Sequence, residues 1–203
     1  KQVCSTGSYS FEYSEEAHKR PGPTTWKEVA GLPCIYLNLG GDADRHGNPD
    51  RPSYTNYITV QGPRGTEGWG CGRVADGNTT DTSEKCGEWC VCHDLKYPIP
   101  LEASSVDRIL SEHMLEHIDQ SNYPVFLNEL HRLLKPGGRA RIAVPDYGNW
   151  NLDNQNAWKH EAEPFPDPPH PTLTNYALLK KYVAASPFRI ADWLQYYDNT
   201  VPG

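Results

Sequence analysis

The sequence lacks both a long apolar run and an excess of positive charge. No stretch of eighteen or more apolar residues occurs in the 203 residues, so no segment is long enough to cross a membrane as a helix. Lys and Arg total 19 against 26 Asp and Glu, which gives a formal net charge of -7. Nucleic-acid-binding and membrane-surface proteins concentrate basic residues, so this balance argues against both kinds of partner. The length fits one domain with a proper core.

The six cysteines lack the C-x2-C pairs that are typical of common zinc sites. They are Cys4, Cys34, Cys71, Cys86, Cys90 and Cys92. Four of them crowd into the segment CGRVADGNTTDTSEKCGEWCVC with the spacing C-x14-C-x3-C-x-C. This spacing favours one or two disulfides that staple an insertion, while a structural zinc and free core thiols are the alternatives. Cys92, in the apolar run VCHDL, is the first candidate for a thiol outside the disulfides.

Three features bear on the compartment. The chain begins with Lys1 rather than Met, which indicates a processed or trimmed chain. Asn78-Thr79-Thr80 is a glycosylation sequon in a polar stretch, and the cysteine count is even. Together they favour a secreted or organelle-lumen glycoprotein with disulfide bonds, and a cytoplasmic protein is the alternative.

Short apolar or β-branched stretches alternate with helical patterns along the chain. Strands are predicted at residues 34–39, 57–60, 91–95, 106–110, 139–144 and 188–197. One helix begins after a cap at Ser121 or Asn122 and stops at the sequence KPGG, and a second spans residues 175–185. This alternation predicts an α/β protein with a doubly wound, mostly parallel sheet, which binds ligands at the carboxyl ends of its strands.

The same pass along the chain predicts its organisation. Residues 1–33 are polar and aromatic without a sustained period, and PGPTTW within them indicates a turn, so they form an N-terminal extension draped on the domain. Residues 34–203 form the domain itself. Residues 62–90 are a cysteine-rich insertion within it.

Residues 113–117, HMLEH, fit the zinc-peptidase signature H-x-x-E-H. Two histidines four apart share one face of a helix and can share a metal ion. Here, however, the string follows the predicted strand VDRIL directly, which leaves little room for a helical turn. We therefore expect no metal site. His113 and His117 either hydrogen-bond the walls of a cleft or, with Glu116, position a substrate or move a proton.

Four blocks of sequence together resemble a known family. They are YLNLGGD, NYITVQ, VCHDLKYPIPLEASSVDRILSEHMLEHID and FLNELHRLLKPGGRARIAVPD. In this order they are similar to the class I S-adenosylmethionine-dependent methyltransferases, and in particular to the type 11 group, over residues 34–198. The resemblance implies a Rossmann-like fold, S-adenosylmethionine as the cofactor and a small-molecule methyl acceptor.

The resemblance also implies roles for individual residues. The cofactor-binding set is Gly40, Gly41, Asp42, Gln61, Asp94, Leu95 and Ser111, and the catalytic set is His113, Glu116 and His117. Gly40 matches the family's first glycine and Asp94 its adenine-side acid. The family's second glycine falls on Asp42, and its ribose-binding acid falls on Gln61.

Those two departures leave two hypotheses. One is an active methyltransferase whose catalytic set lines the acceptor side of the cleft. The other is a methyltransferase-fold subunit without catalysis, a pseudoenzyme that binds protein partners through residues 1–33 and 62–90. Aromatic residues in both segments are candidate contacts, because aromatic side chains concentrate at interfaces.

Overall fold

A five-stranded parallel sheet forms the centre of the protein. The computed structural model describes residues 22–40, 57–62, 89–147, 172 and 174–192. The strands are β1 (Tyr36–Leu39), β2 (Tyr57–Gln61), β3 (Cys90–Cys92), β4 (Val106–Glu112) and β5 (Leu134–Ala143). Their order in the sheet is β3-β2-β1-β4-β5, and every pairing among them is parallel.

Strand β1 is the point at which the strand order reverses. It pairs with β2 on one side and with β4 on the other, so Leu39 aligns with both Val60 and Ser111. The chain then continues outward to β3 on one side and to β5 on the other. In open α/β sheets the cleft for ligands lies at such a reversal, outside the carboxyl ends of the strands.

The central strands are buried on both faces, as expected of a parallel sheet covered by helices. In β1 the side chains of Leu37, Asn38 and Leu39 are all buried, and in β2 residues 58–60 are buried too. Continuous apolar runs in the sequence, rather than alternating patterns, therefore predict the two central strands β1 and β2.

Among the described residues, the helices are α1 (Trp26–Ala30), α2 (Tyr123–Leu133) and α3 (Tyr176–Ala184). Two 3₁₀ turns, Leu115–His117 and Gln120–Asn122, connect β4 to α2. Helix α2 begins with Pro124 in its first turn and buries one face, which consists of Tyr123, Phe126, Leu127, Leu130 and Leu133. Helix α3 begins at the cap Asn175, whose side chain accepts a hydrogen bond from the Leu178 N–H.

The predicted fold class is confirmed, and three predicted element bounds need correction. Strand β3 ends at Cys92 rather than at residue 95, because the Asp94 side chain and carbonyl accept hydrogen bonds from the N–H groups of Lys96 and Tyr97 and form a turn. Strand β5 begins directly after α2 and includes the KPGG sequence. Residues 188–192 form no strand, and residues 189–192 are exposed. The remainder of that predicted strand lies outside the described residues.

The described residues include only part of the predicted N-terminal extension and of the predicted insertion. Trp26 and Val29 of α1 are buried in the hydrophobic core, so this part of the N-terminal extension packs on the domain. Residues 1–21 and 63–88 lie outside the described residues, and with them the sequon and three of the cysteines. The boundary at residue 33 and the insertion at residues 62–90 stay predictions. No helix among the described residues is long and apolar enough to span a membrane.

Candidate functional site at the carboxyl edge of the sheet

The carboxyl ends of the strands bring four of the predicted cofactor residues to one edge: Gly40, Gln61, Asp94 and Ser111. Gly40 follows β1, and Gln61 is the last residue of β2. Asp94 lies two residues beyond β3, and Leu95 follows it. Ser111 is the penultimate residue of β4 and aligns with Leu39. The edge therefore spans the strand reversal from β3 to β4.

Gly40 makes the turn out of β1 in a conformation that favours glycine. Its φ is +74°, and its N–H donates to the carbonyl of Val60 at 3.0 Å. A Cβ at this position would lie 2.4 Å from Cγ of Met114 and 2.7 Å from its Cβ. The backbone at Gly40 is thus packed directly against the segment that follows β4, and the position accepts no side chain without movement.

The loop after β3 is held by a buried histidine. The His93 N–H donates to the carbonyl of Gln61 at 2.8 Å, and the His93 Nε2 lies 3.0 Å from the Tyr97 carbonyl. The ring of Trp26 meets the imidazole edge-on at 5.7 Å between centroids. Burial lowers the pKa of His93 below its usual 6.5, although the Tyr97 carbonyl and the charges of Asp94 and Glu129 act in the opposite direction. These contacts fix the position of Asp94.

The HMLEH string does not form an α-helix. His113 follows β4 with φ +50° and donates its N–H to the Ala143 carbonyl, and a 3₁₀ turn of three residues comes after Met114. The side chains of His113 and His117 are exposed, whereas Glu116 is buried. Within the described ranges, no group of three or more His, Cys, Asp or Glu side chains is placed to hold a metal ion.

Glu116 is a buried carboxylate without a hydrogen-bond donor. Its side chain is 1% exposed, and neither Oε1 nor Oε2 has a hydrogen-bond partner. The charged contact that it makes is with Nδ1 of His113, 3.5 Å from Oε1. The hydroxyl of Ser111, also buried, has no hydrogen-bond partner either. The Ser111 hydroxyl near the end of β4 and the Glu116 carboxylate just after this strand are thus both buried without hydrogen-bond partners.

Thr172 and Tyr123 hydrogen-bond the backbone of this turn. Thr172 donates its N–H to the carbonyl of Glu116 and its hydroxyl to the carbonyl of Ile118. Tyr123 donates its hydroxyl to the carbonyl of Leu115 at 3.1 Å. Burial raises the pKa of Tyr123 to about 12, and the charge of Glu116 adds to this effect. Thr172 and Tyr123 were not predicted as site residues, since no local pattern connects position 172 with the LEH turn.

Gly41 and Asp42 lie outside the described residues, so the predicted departure at Asp42 stays a prediction. Gln61 is half-buried at the end of β2, where the resemblance places a ribose-binding acid. The arrangement therefore combines a close-packed glycine turn, a neutral amide and a turn-forming aspartate on adjacent strands. It also holds a buried carboxylate on the β4 side, suited to bind a cation or accept a proton.

No curated protein matches the chain. Residues 74–142, which include β3, β4, α2 and most of β5, match the family model of a methyltransferase domain. On a parallel sheet with the strand order found here, this match confirms the resemblance of the chain to the class I S-adenosylmethionine-dependent methyltransferases.

Proposed function

We propose that this chain is a methyltransferase domain that binds S-adenosylmethionine at the carboxyl edge of its sheet and transfers a methyl group to a small molecule. The observation that carries the proposal is Gly40. Its positive φ, its hydrogen bond to Val60 and the absence of room for a Cβ beside Met114 keep a bare backbone at the strand reversal. This glycine turn lies at the strand reversal, the place where open α/β sheets bind nucleotide-sized ligands.

The residues at the edge fit the parts of this cofactor. Gln61 would hydrogen-bond the ribose, Asp94 and Leu95 would border the adenine, and the unpartnered hydroxyl of Ser111 offers a buried polar contact. When bound, the cofactor supplies an activated methyl group on a sulfonium. The protein then contributes mainly the alignment of donor and acceptor.

Gln61 in place of an acid weakens the expected affinity. A neutral amide accepts hydrogen bonds from the ribose hydroxyls less strongly than a carboxylate does. The loss of one charge-assisted contact costs about 1–3 kcal/mol, roughly a factor of ten to a hundred in Kd. This departure supports the second candidate function, a non-catalytic interaction subunit.

Calorimetric titration of the chain with S-adenosylmethionine and with S-adenosylhomocysteine tests the proposal. We expect both to bind, and we expect Gln61→Glu to tighten binding by about tenfold. Gly62→Ala is a matched control next to Gln61, since a Cβ at Gly62 meets no atom within 4 Å. Absence of heat and of a thermal shift at millimolar ligand would overturn the proposal and favour the non-catalytic subunit.

For the compartment we propose an oxidising one, secreted or luminal, with a cytoplasmic location as the alternative. Support comes from Cys34, Cys90 and Cys92, which are all disulfide-bonded. The expectation that Cys92 is a thiol outside the disulfides is therefore wrong. Intact mass after alkylation, with and without prior reduction, counts the bridges. Six alkylated thiols without reductant would contradict this proposal.

A further inference from the structure

The buried carboxylate of Glu116 lacks the hydrogen-bond donors that normally accompany a buried charge. It is 99% removed from solvent, both oxygens are without hydrogen-bond donors, and the nearby His113 imidazole is itself 67% exposed. A carboxylate taken out of water without compensating donors or a paired cation is strongly unfavourable. A buried polar group of this kind calls for a compensating partner, and a bound ligand can supply one.

The donors of Tyr123 and Thr172 that reach this turn are committed to its backbone. The hydroxyl of Tyr123 donates to the Leu115 carbonyl, and Thr172 donates its N–H and its hydroxyl to the carbonyls of Glu116 and Ile118. These bonds hold the backbone of the turn and leave the side chain of Glu116 unsatisfied. The donors that the carboxylate needs must therefore come from outside this turn.

The turn lies beside the glycine assigned to the cofactor. Met114, between His113 and the turn, packs against Gly40 so closely that a Cβ there would touch its Cγ. Ser111 of β4 aligns with Leu39, the residue before Gly40. A ligand held by Glu116 would thus lie next to the strand reversal, where an acceptor of a methyl group has to be.

We propose that Glu116 binds the ammonium group of the methyl acceptor, so that the substrates are small primary or secondary amines. The inference rests on the proposed methyltransferase function. An ammonium supplies both positive charge and N–H donors, whereas a carboxylic acid would place a second negative charge beside Glu116. A divalent cation needs further ligands, and no third one accompanies His113 and Glu116 in the described part of the chain. The net charge of -7 also attracts cationic substrates.

Transfer to an amine requires one proton to leave first. The carboxylate of Glu116 accepts a proton from the ammonium, which frees the nitrogen lone pair. The lone pair then forms the N–C bond to the methyl carbon as the C–S bond breaks, and the electron pair of that bond stays on sulfur. The products are the N-methylated ammonium and a neutral thioether.

The test uses the whole chain, saturated with S-adenosylhomocysteine and labelled with ¹³C-glutamate. The Glu116 carboxyl resonance is assigned by its loss in Glu116→Gln. Butylammonium and pentanoate, which share a butyl chain and differ in charge, are then titrated as probes, with Mg²⁺ as a third. We expect butylammonium to shift the Glu116 resonance saturably and pentanoate to leave it in place. A shift caused by Mg²⁺ but not by butylammonium would overturn the inference, as would no shift with any probe.

Affinity measurements on variants complete the test. By calorimetry, Glu116→Gln should weaken butylammonium binding by about tenfold or more, because the charge is gone while the shape remains. Glu112→Gln is the matched control, since Glu112 is four residues away and already paired with Arg141 at 2.6 Å. Equal losses in both variants would contradict a specific role for Glu116. If S-adenosylhomocysteine itself fails to bind, the proposed function is overturned; if it binds and the amine does not, only this inference is.

Discussion

Gly40 is a position at the carboxyl edge of the sheet where a single added methyl group should be costly. In Gly40→Ala the new Cβ requires a positive φ that L-residues disfavour and must also displace Met114. We expect the variant to lose about 2–4 kcal/mol of folding free energy, part from strain and part from overpacking. Thermal or urea denaturation measures the loss.

Gly137 provides the control that separates these two causes. Its φ is +82°, yet a Cβ there meets no atom within 4 Å. Gly137→Ala therefore carries the strain without the clash and should cost only about 1 kcal/mol. Equal losses in the two alanine variants would show that the contact with Met114 is not what excludes a side chain at Gly40.

The buried carboxylate of Glu116 should lower the stability of the unliganded protein. Glu116→Met replaces a desolvated charge by an apolar side chain of similar length, and we expect it to raise the free energy of unfolding by about 1–3 kcal/mol. Denaturation in the absence of ligand measures this. A loss of stability on the same substitution would mean that the contact with His113 satisfies the carboxylate.

At the scale of elements, Asp107 joins three strands near their amino ends. Its Oδ2 accepts from the Ile35 N–H just before β1 at 2.9 Å, and both oxygens receive the ammonium of Lys135 from β5. Asp107→Ala would leave a partly buried N–H without its acceptor, so we expect a loss of about 1–3 kcal/mol in the free energy of unfolding.

Two further variants show which of the Asp107 contacts matters. Lys135→Ala removes only a pair whose lysine is 37% exposed, and we expect it to cost about 0–1 kcal/mol. Asp107→Asn keeps an acceptor for the Ile35 N–H and should cost less than Asp107→Ala. A larger loss for Lys135→Ala than for Asp107→Ala would contradict the dominance of the backbone contact.

The elements differ in how clearly the sequence marks them. Helix α2 was predicted to within a few residues, because Pro124 and the apolar spacing are local signals. Helix α1 was missed, although Thr25 and Glu28 form a capping box, a pattern that the residues TTWKE carry. The overlapping sequence PGPTTW also fits a turn, so the local signals there are ambiguous. The start of β5 within KPGG was not predictable, since glycine and proline ordinarily end elements rather than begin strands.

At the scale of the whole molecule, local apolar runs in the sequence predict the parallel sheet. They do not predict which residues pack over the turn that holds Glu116. The carboxyl edge with Gly40, Gln61 and Asp94 was predictable, because parallel strands deliver their ends to one side. Thr172, which is 56 positions from Glu116, hydrogen-bonds the carbonyls of Glu116 and Ile118 through its N–H and its hydroxyl. Such long-range contacts have no sequence period. The sequence therefore predicts that Glu116 follows β4 near the carboxyl edge, but it does not predict that the side chain is buried without hydrogen-bond donors.

Stability of the whole molecule should depend on pH through His93. Burial lowers the pKa of His93 below 6.5, so the folded protein resists protonation of this ring while the unfolded chain accepts it. The stabilisation is complete above about pH 6.5 and is lost as the pH falls from there toward the lowered pKa of the folded state. Within that window the loss approaches about 1.4 kcal/mol per pH unit for one proton.

The variant His93→Gln isolates this contribution, because glutamine can still donate to the Tyr97 carbonyl but does not titrate. Urea denaturation of both proteins between about pH 7.5 and pH 5 should give a steeper decline for the wild type, with the difference confined to the acidic side. Since His93 fixes the loop that carries Asp94, the same acidic shift should weaken S-adenosylhomocysteine binding in the wild type more than in the variant. Parallel stability curves for the two proteins would show that the imidazole takes up its proton equally well in the folded and unfolded states, and the loop would then owe its order to Trp26 and the backbone contacts instead.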